Sequence, residues 1–232
     1  CTGLQWGTIY FWRIGVGAAW SPTFQFTPFK PTFLSGCQLW LSADSNVVES
    51  GGVVDQWSDL SGQMHHAVQG TTSNNPTWLN NEPVINSPAL SFDGSDDFLE
   101  INDTFQIGST FILTNWNDLS SIFPSYNGLF TEQGSKFIFT AAASSPNFYA
   151  SDPSNNYYIG NVFINQVNTL NFYPLNSFKI MSGIANSISS INGFLIGNDR
   201  YVAGRYWLGL MPEIICYNIN LNASNTSLVH DY

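Results

Sequence analysis

From Ser35 onward the chain is a succession of short runs, each closed by Gly, Asn, Asp, Ser or Pro after roughly 8–15 residues. Gln38-Leu39-Trp40-Leu41, Ala89-Leu90-Ser91-Phe92, Thr110-Phe111-Ile112-Leu113, Lys136-Phe137-Ile138-Phe139-Thr140, Tyr157-Tyr158-Ile159, Phe178-Lys179-Ile180-Met181 and Pro212-Glu213-Ile214-Ile215-Cys216-Tyr217 are the clearest. Some alternate with the period of two that suits a half-buried strand. Others are continuously apolar, as strands of a sandwich core are. Helical periodicity is nearly absent until the end, where Asn222 or Ser224 is placed to cap a short helix through Ser227–Tyr232. No repeat of solenoid or propeller length is visible. The expectation is an all-β, antiparallel β-sandwich with a short C-terminal helix.

Residues 1–34 have a different texture. They hold five Phe, four Trp or Tyr and three Pro, without steady alternation. In Ser21-Pro22-Thr23-Phe24-Gln25-Phe26-Thr27-Pro28-Phe29-Lys30-Pro31 the prolines remove ladder donors and fix φ, so this stretch reads as an extended arm, not an interior strand. An arm this aromatic needs cover, and a partner chain is the favoured one. Trp6, Phe11, Trp12, Trp20, Phe24, Phe26 and Phe29 are its candidate docking residues. The chain thus divides into an arm, 1–34, and a sandwich domain, 35–232.

Composition narrows the function. Charged residues are 9% of the 232, the net charge is −10, and only six residues are Lys or Arg. Displacing counterions from phosphate needs a basic footprint, so nucleic acid is excluded as a partner, and an anionic membrane surface with it. No uninterrupted apolar stretch is long enough for a membrane span. With 16% aromatics the chain is not of the disordered class either. Of three cysteines, Cys37 and Cys216 sit in apolar strand-like runs and read as buried thiols, with a bridge between them left open. Cys1 opens the sequence without a Met, and the chain reads as processed or incomplete at that end.

Several blocks carry a resemblance. Leu39-Trp40-Leu41-Ser42-Ala43-Asp44, Val54-Asp55-Gln56-Trp57-Ser58-Asp59-Leu60-Ser61-Gly62 with Ala67, then Ala89-Leu90-Ser91-Phe92-Asp93-Gly94-Ser95-Asp96-Asp97-Phe98-Leu99 stand in the first half. Leu195-Ile196-Gly197 and Trp207 through Asn218 stand near the end. Together they resemble the concanavalin A-like, laminin-G-like jelly rolls. The likeness spans about Phe33 to Tyr232 and is weak between Asn115 and Phe178. It implies a jelly-roll form of the sandwich, and a fold that hosts lectins, glycosidases, adhesion modules and virion proteins alike. Departures are Ser42 for the family's Asp, Met64 where a turn glycine is usual, and Pro212, which suggests an edge or bulge.

Chemistry is sparse. The glucanases of that family place paired carboxylates on one strand as Glu-x-Asp-x-x-Glu, and this chain has no such run and only five Glu. His65 and His66 are adjacent, so on a strand they face opposite ways and do not share a metal. No Ser/His/Asp set, phosphate loop or zinc spacing is legible, and no catalytic residue is assigned. Trp57 is expected to be an apolar anchor whose indole N–H needs a partner. Asp59-Ser61-Gly62 and Asp93-Gly94 read as turns. Calcium is the one cofactor weighed, with Asp59, Asp93, Asp96 and Asp97 as its ligands. Trp78, Trp116, Tyr126, Tyr157 and Tyr158 are the candidate sugar-stacking aromatics. The expected function is a non-catalytic structural or binding protein. It would be a virion or particle-surface component (capsid-associated, spike or fibre) docking through its arm onto other chains of an assembly, self included. The alternative is an extracellular carbohydrate-binding module.

Overall fold

A computed structural model describes residues 4, 5, 7–134, 137–149 and 159–232. The fold is an all-β sandwich with one short helix. Its strands are β1 (Tyr10–Trp12), β2 (Gly15–Val16), β3 (Ala19–Trp20), β4 (Phe24–Phe26), β5 (Cys37–Ser42), β6 (Val47–Ser50), β7 (Val53–Trp57), β8 (Ala67–Val68), β9 (Thr77–Glu82), β10 (Ser87–Asp93), β11 (Leu99–Thr114), β12 (Gly128–Glu132), β13 (Phe137–Thr140), β14 (Ile159–Ile164), β15 (Val167–Asn168), β16 (Lys179–Ile196), β17 (Leu208–Met211) and β18 (Glu213–Tyr217). The helix is α1 (Ala223–His230).

Two long strands make the sandwich from one antiparallel sheet. β11 and β16 pair along their whole lengths, with register shifts between Ile101 and Thr104 and between Ile107 and Ser109. Such bulges bend and twist a strand. Before the bend, β11 and β16 belong to a layer running β13-β12-β16-β11-β8-β7-β9-β10-β17, with β6 on β7. Beyond it they belong to a second layer, where β18 and β5 extend one side and β14 and β15 the other. β17 and β18 are successive strands of different layers, separated by Pro212. Pro212, expected to mark an edge or bulge, lies at the step between the two strands, where it donates to neither ladder.

Alternation sorts the second layer's side chains. Leu39, Leu41, Ile112, Met181, Ile214 and Cys216 face inward to the main core, with Trp57, Phe92, Trp116, Phe130, Phe194 and Trp207. Phe111, Ile215 and Tyr217 face outward to a smaller cluster that α1 covers with Val229 and the preceding Leu221, and the register shift between Leu39 and Cys37 lets Cys37 join it. Cys37 and Cys216 are both free and buried. Burial pushes the Cys37 thiol up to about 12 and that of Cys216 higher still, so neither is a nucleophile at neutral pH. Trp57 is fully buried, yet its indole N–H has no hydrogen-bond partner among the described residues, so it acts as an apolar anchor alone.

Residues 29–34 pack with the sandwich. Pro31 is buried, and its carbonyl accepts from the Tyr217 hydroxyl at 3.0 Å. Phe29 and Leu34 lean on the outer cluster. The expected division at residue 34 therefore falls inside this packing, and what projects is the stretch before Pro28.

Candidate functional site

The projecting stretch is a β-hairpin. β1 pairs with β4 in the register Tyr10↔Phe26, Phe11↔Gln25, Trp12↔Phe24, and β2 pairs with β3 nearer the tip. Pro22 and Pro28 flank β4, where no ladder donor is required. Directly opposed residues share a face, so Tyr10, Trp12, Phe24 and Phe26 line one side and Phe11 the other. Tyr10 stacks on Phe26 at 5.7 Å and Trp12 on Phe24 at 4.8 Å, while Arg13 lies 4.4 Å above the Trp20 ring. The hairpin closes at its root, where the Gly7 N–H donates to the Pro28 carbonyl at 2.9 Å.

Both faces are bare. Phe11 is 67% exposed, Trp20 59%, Trp12 and Phe24 46% and Phe26 42%, and Ile9, Ile14 and Val16 are at least 56% exposed. At 150–250 Å² for a whole aromatic side chain, these residues present on the order of 800 Å² of apolar surface, above the few hundred usual for a monomer's largest patch. Of the expected docking residues, Phe11, Trp12, Trp20, Phe24 and Phe26 are placed together on this ribbon. Trp6 lies outside the described residues. Phe29 does not belong with them: it packs edge-on against Phe33 and Tyr232, at 6.3 and 5.9 Å, and is part of the sandwich.

A groove of about 380 Å³ runs beside the hairpin's root, between Phe26, Pro28 and Phe29 on one wall and Leu228, Asp231 and Tyr232 on the other. Leu228 is 46% exposed and Tyr232 41%. Tyr232 is held from below by Glu213, which also accepts from the Trp40 indole at 2.8 Å. Burial pushes Glu213 up to about 7; hydrogen bonds from Trp40 and Tyr232 oppose this and the nearby Asp44 adds to it. The sequence offered no hint of the groove, because its two walls lie about two hundred positions apart in the chain.

The other candidates are not brought together. Trp116 is 1% exposed and packs edge-on against Phe123 and Trp207, at 5.2 and 5.1 Å; it is core and is corrected as a sugar platform. Trp78 is partly buried on the core and donates its indole N–H to the Ala43 carbonyl at 2.9 Å. Tyr126 has Arg205 4.9 Å above its ring and Tyr149 against its edge, so one stacking face is taken. Tyr157 and Tyr158 lie outside the described residues.

Asp93, Asp96 and Asp97 do converge, each offering an oxygen within 4.8 Å of the others. Hydrogen bonding inside the turn accounts for much of this. Asp97 accepts from the Asp93 N–H at 2.9 Å, and Asp93 accepts from Ser95 at 2.8 Å and Asp96 at 3.3 Å. Gly94, at φ +77°, makes the turn's left-handed step. Burial, followed by the charges of Asp93 and Asp96, raises Asp97 to about 7 against the hydrogen bond from Asp93.

Asp59 is corrected as a fourth ligand. Its carboxylate accepts from the N–H groups of Trp40, Ser61 and His65, at 2.9, 2.9 and 3.1 Å, and from the Ser61 hydroxyl at 2.6 Å. The histidines diverge as expected. His65 Nδ1 is 3.1 Å from Asp103, while His66 Nδ1 accepts from the Asp59 N–H at 3.0 Å.

One contact was invisible in the sequence because 48 positions separate its members: Ser182 Oγ lies 3.1 Å from His230 Nε2. It borders a cleft of about 280 Å³ between α1 and β16, with Phe163 and Gln166 on its rim. Nδ1 of His230 has no hydrogen-bond partner among the described residues. The pair fastens the helix to the sheet.

The chain matches no protein-family model, no curated protein and no solved structure.

Proposed function

We propose that this chain is a non-catalytic assembly protein, a sandwich of the concanavalin A-like kind that docks on other protein chains of a virion or extracellular particle through its N-terminal hairpin. One observation carries the reading: the hairpin shows uncovered aromatic and aliphatic side chains on both faces and a single charge, Arg13. An exposed ribbon of this composition is costly in water unless it is buried in its working state. Its apolar surface is about what one partner contributes to a standard interface. The few-charge, Asn- and Ser-rich remainder suits a surface whose solubility does not rest on charge.

The test is deletion of residues 1–27, which spares Phe29, Pro31 and Leu34. The shortened chain should fold with an unchanged far-UV spectrum and melting temperature and fail to enter the particle when produced beside it. Incorporation at the level of the full chain overturns the reading. Among the described residues no helix is long and apolar enough to cross a membrane.

A further inference from the structure

We propose that the hairpin's partner is a second copy of this chain, whose root groove receives it, with Arg13 set against Asp231. This rests on the assembly reading above and names its partner. Three observations lead to it. First, ribbon and groove are complementary in kind. The groove is apolar at Pro28, Phe29, Leu228 and Tyr232, and its volume of about 380 Å³ is within the range that takes a compact apolar group such as a Trp or Phe side chain.

Second, a chain cannot fill its own groove. Phe26 and Pro28, which end the hairpin, form one wall of it. The tip at Gly17 lies roughly 25 Å out along the ribbon, at about 3.3 Å per residue, and would have to fold back over that length. A neighbouring copy has no such restriction. Reciprocal exchange gives each copy one hairpin and one groove, an isologous pairing that covers both surfaces twice.

Third, one pair of opposite charges fits this pairing against an otherwise repulsive field. A chain of net −10 repels its copies, and several of its cations are committed. Arg200 and Arg205 bind the buried Asp199 and Lys179 is buried, while Lys30 and Arg13 each lie over an aromatic ring, Phe33 and Trp20, with their polar hydrogens still available at the surface. The hairpin bears Arg13 alone, and the groove's rim bears the exposed carboxylate of Asp231. An attractive pair at this contact supplies register where the surrounding field is repulsive. The groove takes one side chain, and the rest of the ribbon, on the order of 800 Å² of apolar area in all, lies along the neighbouring sandwich in this pairing.

Sedimentation velocity on the purified full chain, from about 1 to 100 µM, reads the outcome directly. A dimer or larger species is expected, and the 1–27 deletion should be monomeric. Leu228→Asp and Arg13→Glu should each weaken association by about tenfold or more, and Arg13→Glu combined with Asp231→Arg should restore it. Leu228 and Asp231 are exposed, so thermal melts of these variants should match the parent and remove misfolding as an explanation. A full chain that stays monomeric, or an oligomer indifferent to Leu228→Asp, overturns the proposal. If the chain is monomeric and the deletion still blocks particle entry, another protein is the partner and the assembly reading stands. If the deletion has no effect on entry, both fall. Hairpin-dependent binding of a monomeric chain to neutral phosphatidylcholine vesicles would identify a bilayer as the occupant and also overturn it.

Discussion

Residues decide this fold where the backbone leaves the regions open to most side chains. Met64 sits at φ +66° and is 71% exposed, in the turn that follows Asp59 and Gly62. A long side chain gains nothing there and pays the steric cost of the left-handed region, whereas glycine adopts it freely. Met64→Gly should therefore stabilise the chain by about 1 kcal/mol, read as a higher urea midpoint at unchanged slope. A loss of stability would show that Met64 makes contacts beyond its turn. The odd residue was visible in the sequence as a departure from the pattern that the chain resembles. The hydrogen bonds that the neighbouring Asp59 collects were not, since the Trp40 N–H comes from a strand 19 positions away.

At the scale of elements, α1 shows how a weak helix is kept. It has eight residues, too few to persist alone, and few of its side chains are strong helix formers. The Asn222 side chain accepts from the Asn225 N–H at 2.9 Å, which caps the first turn, and Val229 and His230 bury the last one. Asn222→Ala should cost about 1 kcal/mol of helix docking. Hydrogen exchange should show it as faster opening of Thr226–His230 with β11 and β16 unchanged; uniform acceleration throughout would mean that helix and sandwich open as one unit. The hairpin is the contrasting element. Its strands hold each other by ladder bonds and stacked rings but rest on no layer, and two-stranded ribbons are marginal without cover.

For the whole molecule, two buried carboxyls lower stability as pH rises, and the buried His230, whose pKa burial lowers, acts the other way below its ordinary value. Glu213 and Asp97 are each raised to about 7 in the folded chain, above the usual carboxylate range they return to on unfolding. Between about pH 4.5 and 7 the folded state then binds more protons than the unfolded state, so stability falls as pH rises through that window and levels off above it. The loss should be up to about 3 kcal/mol per group, seen as a falling urea midpoint from pH 5 to pH 8. Glu213→Gln and Asp97→Asn should each flatten the curve. A profile that rises over the same range would contradict the burial of both. Because Glu213 holds Tyr232, the Glu213 variant also reports on the root groove.

The sequence by itself determined the class of fold, the approximate strands and the closing helix, because the period of two and the turn residues are local properties of the chain. It also marked the first residues as a segment apart, since proline and crowded aromatics are legible one residue at a time. Only the tertiary structure decided which aromatics are uncovered. Trp116 and Phe11 are equally apolar in sequence, yet one is enclosed by Phe123 and Trp207 and the other stands in solvent. Burial belongs to the layer a residue meets, and that layer is built from distant strands. For the same reason the groove remained unreadable. Its apolar walls are ordinary residues of the chain's two ends, and only the closing of the sandwich sets Pro28 and Phe29 against Leu228 and Tyr232.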